Sequence, residues 1–123
     1  MGYYSDTALT LTKKGVEALS NKLTDRETPE ETRGEVQDLL SQADSHYTNS
    51  SSGAMVWHWA WNKWYSDFSE VAFVESLMHE MDDEDYLFIR IGEDYADTET
   101  RGCFWENPFG MELNRSIAQG KVR

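Results

Sequence analysis

Residues 55–65, Met55-Val56-Trp57-His58-Trp59-Ala60-Trp61-Asn62-Lys63-Trp64-Tyr65, decide what kind of fold this chain adopts. Trp57, Trp59 and Trp61 alternate with Val56, His58 and Ala60, the period of two that sends successive side chains to opposite faces of a strand. A turn near Asn62 brings the chain back through Trp64 and Tyr65 as a hairpin. Downstream the period changes. Ser66 or Asp67 offers an N-cap to a helix in which Val71, Val74, Met78 and Met81 share a stripe flanked by Phe73 and Leu77, and Asp82-Asp83-Glu84-Asp85 ends it. Tyr86-Leu87-Phe88-Ile89-Arg90-Ile91 is then a second strand, with Leu87, Ile89 and Ile91 on one face and Gly92 closing it. Residues 101–106 are expected to pair with it across a turn at 94–100. Asn107-Pro108-Phe109-Gly110 breaks the chain before a last ordered piece over 111–118, strand or short helix.

Upstream, Thr48-Asn49-Ser50-Ser51-Ser52-Gly53 is a polar loop that divides the chain in two. Before it, Thr28 as N-cap, Pro29 at the first helical position and Glu31 form a capping box for a helix. Its stripe is Val36, Leu39, Leu40, Ala43 and Tyr47. A shorter helix, capped by Thr12, carries Val16, Leu19 and Leu23; Gly15 weakens its first turn by roughly 1 kcal/mol relative to Ala. Residues 5–11 precede it as a strand. The order β, α, α, β, β, α, β, β predicts an α+β two-layer sandwich, an antiparallel sheet covered on one face by helices. It contains the β-α-β-β-α-β order of a ferredoxin-like arrangement with one extra helix. At 123 residues, 39% hydrophobic and 13% aromatic, the chain is one domain over residues 1–123 with enough apolar mass for a core. The tryptophans are expected beneath the helices, with an exposed aromatic partner surface as the alternative.

Eleven basic against 23 acidic residues give a net charge of −12. Of the excess, residues 64–100 hold twelve acids against one base, Arg90, a net −11, while the rest of the chain carries eleven acids and ten bases. Such a chain repels phosphate backbones and anionic lipid, so direct binding to nucleic acid or membrane is not expected and basic partners are. The two acidic runs, Asp82, Asp83, Glu84 and Asp85, and Glu93, Asp94, Asp97 and Glu99, are adjacent in sequence and are candidates for one docking face. A solvated, solubilising face is the plain alternative. The same acids could offer oxygen ligands to Mg²⁺ or Ca²⁺, which makes a divalent-metal protein or small metal-dependent enzyme the competing reading. Neither run, however, matches a calcium-loop spacing. His46, His58 and His79 form no zinc-type pair. Cys103, the single cysteine, sits in Gly102-Cys103-Phe104-Trp105, which reads as a strand where it packs as a small apolar residue; it also excludes an internal disulfide. No nucleophile elbow, phosphate-binding loop or dinucleotide fingerprint occurs, so no catalytic residue, resident metal or cofactor is nominated. Met1-Gly2-Tyr3-Tyr4-Ser5-Asp6 lacks the basic start and apolar run of a signal peptide, and no stretch approaches about 18 apolar residues. A cytoplasmic location is expected.

With that opening hexapeptide, Lys63-Trp64-Tyr65 before a short helix, and Phe88-Ile89-Arg90-Ile91-Gly92-Glu93-Asp94 before an acidic turn, the chain resembles small acidic proteins encoded by bacteriophages and prophages. The resemblance covers the N-terminal strand and residues 54–106 and implies no catalytic residue. It implies a context: a non-enzymatic accessory protein in the host bacterial cytoplasm that binds a host protein, basic or itself nucleic-acid-binding. Its target would be blocked by docking or by mimicry of DNA phosphates, as in inhibition of host defence machinery.

Overall fold

The structure, a computed structural model, describes residues 2–94 and 96–113. Five strands and three helices follow in the order β1 (Ser5–Leu11), α1 (Lys13–Thr24), α2 (Glu30–Ser41), β2 (Ser45–Thr48), β3 (Met55–Asn62), α3 (Ser69–Glu80), β4 (Tyr86–Gly92) and β5 (Thr98–Gly102), with a 3₁₀ turn at Asp83–Asp85. The strands form one sheet in the order β2-β3-β1-β4-β5, every neighbouring pair antiparallel. The chain passes from β1 to β2 across β3, carrying α1 and α2, and from β3 to β4 across β1, carrying α3. These are two interleaved split β-α-β crossings, the ferredoxin-like strand order, with two helices in the first crossing and β5 appended at the edge.

The register sorts the side chains. Leu9 lies opposite Trp57 and Phe88, and Leu11 opposite Met55 and Tyr86, so these share a face. That face meets Leu19 of α1, Val36 and Leu39 of α2, and Val71, Phe73, Val74, Leu77 and Met78 of α3 in one core. Burying each such side chain contributes about 1.5–3 kcal/mol. The Trp59 indole N–H, which would otherwise be lost to water, donates to the Leu39 carbonyl at 2.9 Å. Leu87, Ile89 and Ile91 lie together on the opposite face, beside Thr10, Ala8 and Asp6 respectively, as the alternation required.

Several local expectations fail for identifiable reasons. Thr28 does not cap α2: its hydroxyl donates to the Lys22 carbonyl at 2.7 Å, tying down the end of α1, and Pro29 becomes the N-cap with no side-chain bond. Arg33 completes that junction by donating to the carbonyls of Leu23, Asp25 and Thr28. Helix α2 stops at Ser41, and Tyr47, read as the end of its stripe, lies on the edge strand β2 and is exposed. Pairing with the free edge of β3 outweighs one more helical turn. No hairpin forms after Asn62. The β1–β3 register shifts between Ser5 and Thr7, the strand ends at Asn62, and Trp64 turns into the core against Trp59 and Phe88. The cap of α3 is Phe68, without a side-chain bond, in place of Ser66 or Asp67. Strand β5 occupies 98–102 and not 101–106. It ends at Gly102, where φ is 80° and an added Cβ would lie 2.2 Å from the Tyr86 carbonyl oxygen, so only glycine fits. Cys103 is therefore beyond the strand and exposed. Residues 111–113 carry no regular structure, and the remainder of the piece expected over 111–118 lies outside the described residues.

Candidate functional site

The acidic runs occupy opposite ends of β4. The turn Asp83–Asp85 precedes the strand and Glu93 follows it, so Asp85 and Glu93 stand about 26 Å apart at the rise of an extended strand. They do not merge through the strand. At the first end Asp85 is buried and works inside the fold. Its carboxylate accepts the Thr12 hydroxyl proton at 3.0 Å, which leaves that oxygen free to accept the Gly15 N–H at 3.1 Å and cap α1. The Asp85 carbonyl also accepts the Thr12 N–H, and a Cβ on Gly15 would stand 2.8 Å from that carbonyl. Gly15 is thus the residue that lets α1 approach the 3₁₀ turn. Asp82 faces Lys14 at 3.5 Å with both side chains exposed, a pair of little energetic weight. Asp83 and Glu84 project into solvent.

At the second end Asp97 and Glu99 are held by the only base of the acidic segment. Arg90 donates to Asp97 through Nη2 at 2.7 Å and Nη1 at 3.1 Å, to Glu99 through Nε at 3.2 Å, and to the buried Ser5 hydroxyl at 3.1 Å. The Tyr3 phenol donates to Asp97 at 2.7 Å and accepts the Asp94 N–H, while Glu93 accepts the Tyr4 N–H at 2.7 Å. The Arg90 guanidinium and, after it, the Tyr3 phenol hold the Asp97 carboxyl at about 2, well below the usual carboxylate range. That same hydrogen bond to Asp97 raises the Tyr3 phenol. This network straps the N-terminal residues over the end of the sheet. Asp97 and Glu99 therefore serve the fold, while Glu93 and Asp94, each accepting one backbone N–H among the described residues, from Tyr4 and Ala96 respectively, are exposed and keep oxygens open to a partner.

What marks this end is a group of three exposed aromatic residues, where the Asp83 end has Trp105. Tyr3, Trp61 and Phe68 are exposed here, Trp61 to 60%. The register shift beside Ser5 throws Trp61 out of the core, where its ring stacks on Tyr4 at 5.4 Å with 4° between planes. Phe68 leans on Tyr65, whose hydroxyl accepts the Tyr3 N–H. Of the three tryptophans read as one face, Trp57 and Trp59 are core and Trp61 is surface. Alternation alone concealed this, because a bulge inverts the facing of everything beyond it.

Elsewhere, a groove of about 860 Å³ runs between α1 and α3, with Ala18, Ala72 and Leu77 in its lining. Its two lysines are matched by its own carboxylates: Lys22 pairs with Glu80 at 2.8 Å, holding that acid below its usual value, and Lys14 with Asp82 and Asp85. On the other face of the sheet His58 bonds Asp6. Among the described residues no three of His, Cys, Asp and Glu gather to hold a metal ion, and no helix is long and apolar enough to cross a membrane. Comparison with protein-family models, curated proteins and solved structures returns no match.

Proposed function

We propose that this protein acts by stoichiometric binding of a basic partner protein, and that the contact is the end of the sheet where Tyr3, Trp61 and Phe68 stand beside Glu93 and Asp94. In the context that the resemblance implies, it is a phage or prophage accessory protein and its partner a host protein that itself binds nucleic acid, such as a defence nuclease. The observation that carries the reading is the coincidence of three exposed large aromatic side chains with two exposed carboxylates. Aromatic anchors dominate binding energy at protein interfaces, and the surrounding charge selects partners of opposite sign and speeds encounter. The other acidic end, with Asp83 and Glu84, matches it in charge, but there Trp105, 45% exposed and two residues beyond the Cys103 N–H that bonds the Asp83 carbonyl, stands among the described residues without the stacked aromatic neighbours grouped here.

Plain docking fits this surface better than mimicry of DNA. A duplex presents one phosphate about every 3.4 Å along each strand. Here the acidic runs are split to the two ends of β4, and Asp85, Asp97 and Glu99 are engaged in holding the chain together. The test is capture from bacterial lysate with tagged protein carrying either Glu93→Gln with Asp94→Asn or, as an equal-charge control, Asp83→Asn with Glu84→Gln. The first pair is expected to weaken retention of the partner about tenfold, with the second within about twofold of the parent. Equal losses would mean that net charge, and not this end, does the work. A captured partner whose DNA binding is unimpaired would exclude mimicry.

A further inference from the structure

We propose that the cleft between Trp61 and Phe68 is a socket for an arginine side chain. The inference rests on the docking reading above and names the group of the basic partner that this end receives. The cleft has a volume of about 380 Å³ and opens where the end of α2, the irregular end of β3 and the first turn of α3 meet; Trp59, Trp61, Phe68, Asp44, Glu70 and Lys63 are among its walls. That volume lies within the range of small-ligand pockets and admits one side chain.

Its chemistry is that of a cation site. Trp61 is 60% exposed and its ring is held in a fixed plane by the parallel Tyr4 ring, so the indole is oriented before anything binds. Phe68, 38% exposed, is steadied by Tyr65 at 5.1 Å. Two carboxylates share the walls. Asp44 is oriented by the Ala60 N–H, which donates to its Oδ2 at 2.7 Å and leaves Oδ1 for another donor. The Glu70 carboxylate has no hydrogen bond or ion pair among the described residues. Lys63, the one cation of the cleft, has its ammonium 5.6 Å from the centre of the Tyr4 ring. Its charge is thus spent on the partner of the indole in the stack and forms no ion pair with Asp44 or Glu70 among the described residues. The protein therefore already uses a cation on an aromatic face at this spot, and the larger, better exposed indole beside it has none.

Between the two basic side chains, arginine fits better. Its guanidinium is planar, weakly hydrated and able to lie flat on an indole while its edge N–H groups meet a carboxylate in pairs; a lysine ammonium is a compact, strongly hydrated point charge. A flat aromatic wall with carboxylates at its margin answers to the first geometry.

The test follows the five indole N–H signals of ¹⁵N-labelled protein, with Trp61 assigned through Trp61→Phe, during titration with N-acetyl-arginine amide, N-acetyl-lysine amide and N-acetyl-leucine amide at constant ionic strength. The expected result is a saturable shift of the Trp61 signal with the arginine compound in the millimolar range, at least about threefold weaker with lysine and absent with leucine. Glu70→Gln and Asp44→Asn should each weaken it about threefold or more, while Asp83→Asn with Glu84→Gln leaves it unchanged; the four other indole signals report that each variant is folded. A shift that stays linear, that is equal for arginine and lysine, or that survives both Glu70→Gln and Asp44→Asn overturns the socket. If the socket fails while Glu93→Gln with Asp94→Asn still releases the captured partner, docking at this end stands without an arginine anchor. If the socket saturates and capture ignores those substitutions, the docking reading is the one that falls.

Discussion

Replacing Arg90 by methionine tests whether the strap across the end of the sheet is a structural device. The substitution keeps most of the aliphatic stem and removes four hydrogen bonds, two to Asp97 and one each to Glu99 and Ser5. The Arg90 side chain is 15% exposed, whereas Asp97 and Glu99 are 39% and 33% exposed. The site lies between two regimes: exposed ion pairs contribute under about 1 kcal/mol, and breaking a fully buried pair costs about 3–5 kcal/mol. With both carboxylates screened by water but left facing each other, and the buried Ser5 hydroxyl deprived of its donor, the expected loss is about 2 kcal/mol, or roughly 8 °C in Tm for a domain of this size. Urea unfolding followed by tryptophan fluorescence measures it. The pH dependence supplies a second arm. Arg90 and Tyr3 lower Asp97 from 3.8 to about 2 in the folded protein. The stability that ionised Asp97 contributes is therefore complete above pH 3.8 and declines as pH falls through the unfolded value toward 2. Arg90→Met should flatten that limb. A loss below about 0.5 kcal/mol with an unaltered acid limb would refute the view that Arg90 neutralises these acids to hold the N-terminal strap.

Three further outcomes follow from the packing. Gly15→Ala gains about 1 kcal/mol of helix propensity, yet its Cβ would lie 2.8 Å from the Asp85 carbonyl, so calorimetry should show a lower Tm; a higher one would mean that α1 moves off the 3₁₀ turn without cost. Trp59→Ala should cost about 3–5 kcal/mol in urea unfolding and Trp61→Ala under about 1 kcal/mol, and equal costs would contradict the facing assigned to the end of β3. Asp85→Ala, which frees the Thr12 hydroxyl and empties a buried position, should lower stability by about 1–2 kcal/mol in the same assay, with hydrogen exchange of the first turn of α1 accelerated; protection unchanged there would show that Thr12 caps without help.

Much of the fold was legible because it rests on periodicity. Strand β1, the Thr12 cap of α1, the body of α3, strand β4 and the burial of Trp57 and Trp59 all follow from which side chains must leave water together, and apolar spacing records that directly. The acidic bias of residues 64–100 was equally plain, and so was the absence of local catalytic motifs. What the spacing could not carry was any choice made by partners distant along the chain. Thr28 was a good cap by itself, but the Lys22 carbonyl claimed its hydroxyl. Tyr47 continued a helical stripe until the open edge of β3 offered a strand partner. Trp61 kept step with Trp57 and Trp59 until a register shift, set by pairing with β1, turned it outward.

Charge shows the same division. Composition determined how many carboxylates this chain carries. Only the tertiary structure decided that Asp85 is consumed by Thr12, that Asp97 and Glu99 are consumed by Arg90, and that Glu93 and Asp94 come to lie beside exposed aromatic rings. The physical reason is that hydrophobic periodicity is a property of neighbours in sequence, whereas the use of a polar group depends on which donor, from up to 94 residues away in the case of Tyr3 and Asp97, the sheet brings within 3 Å of it.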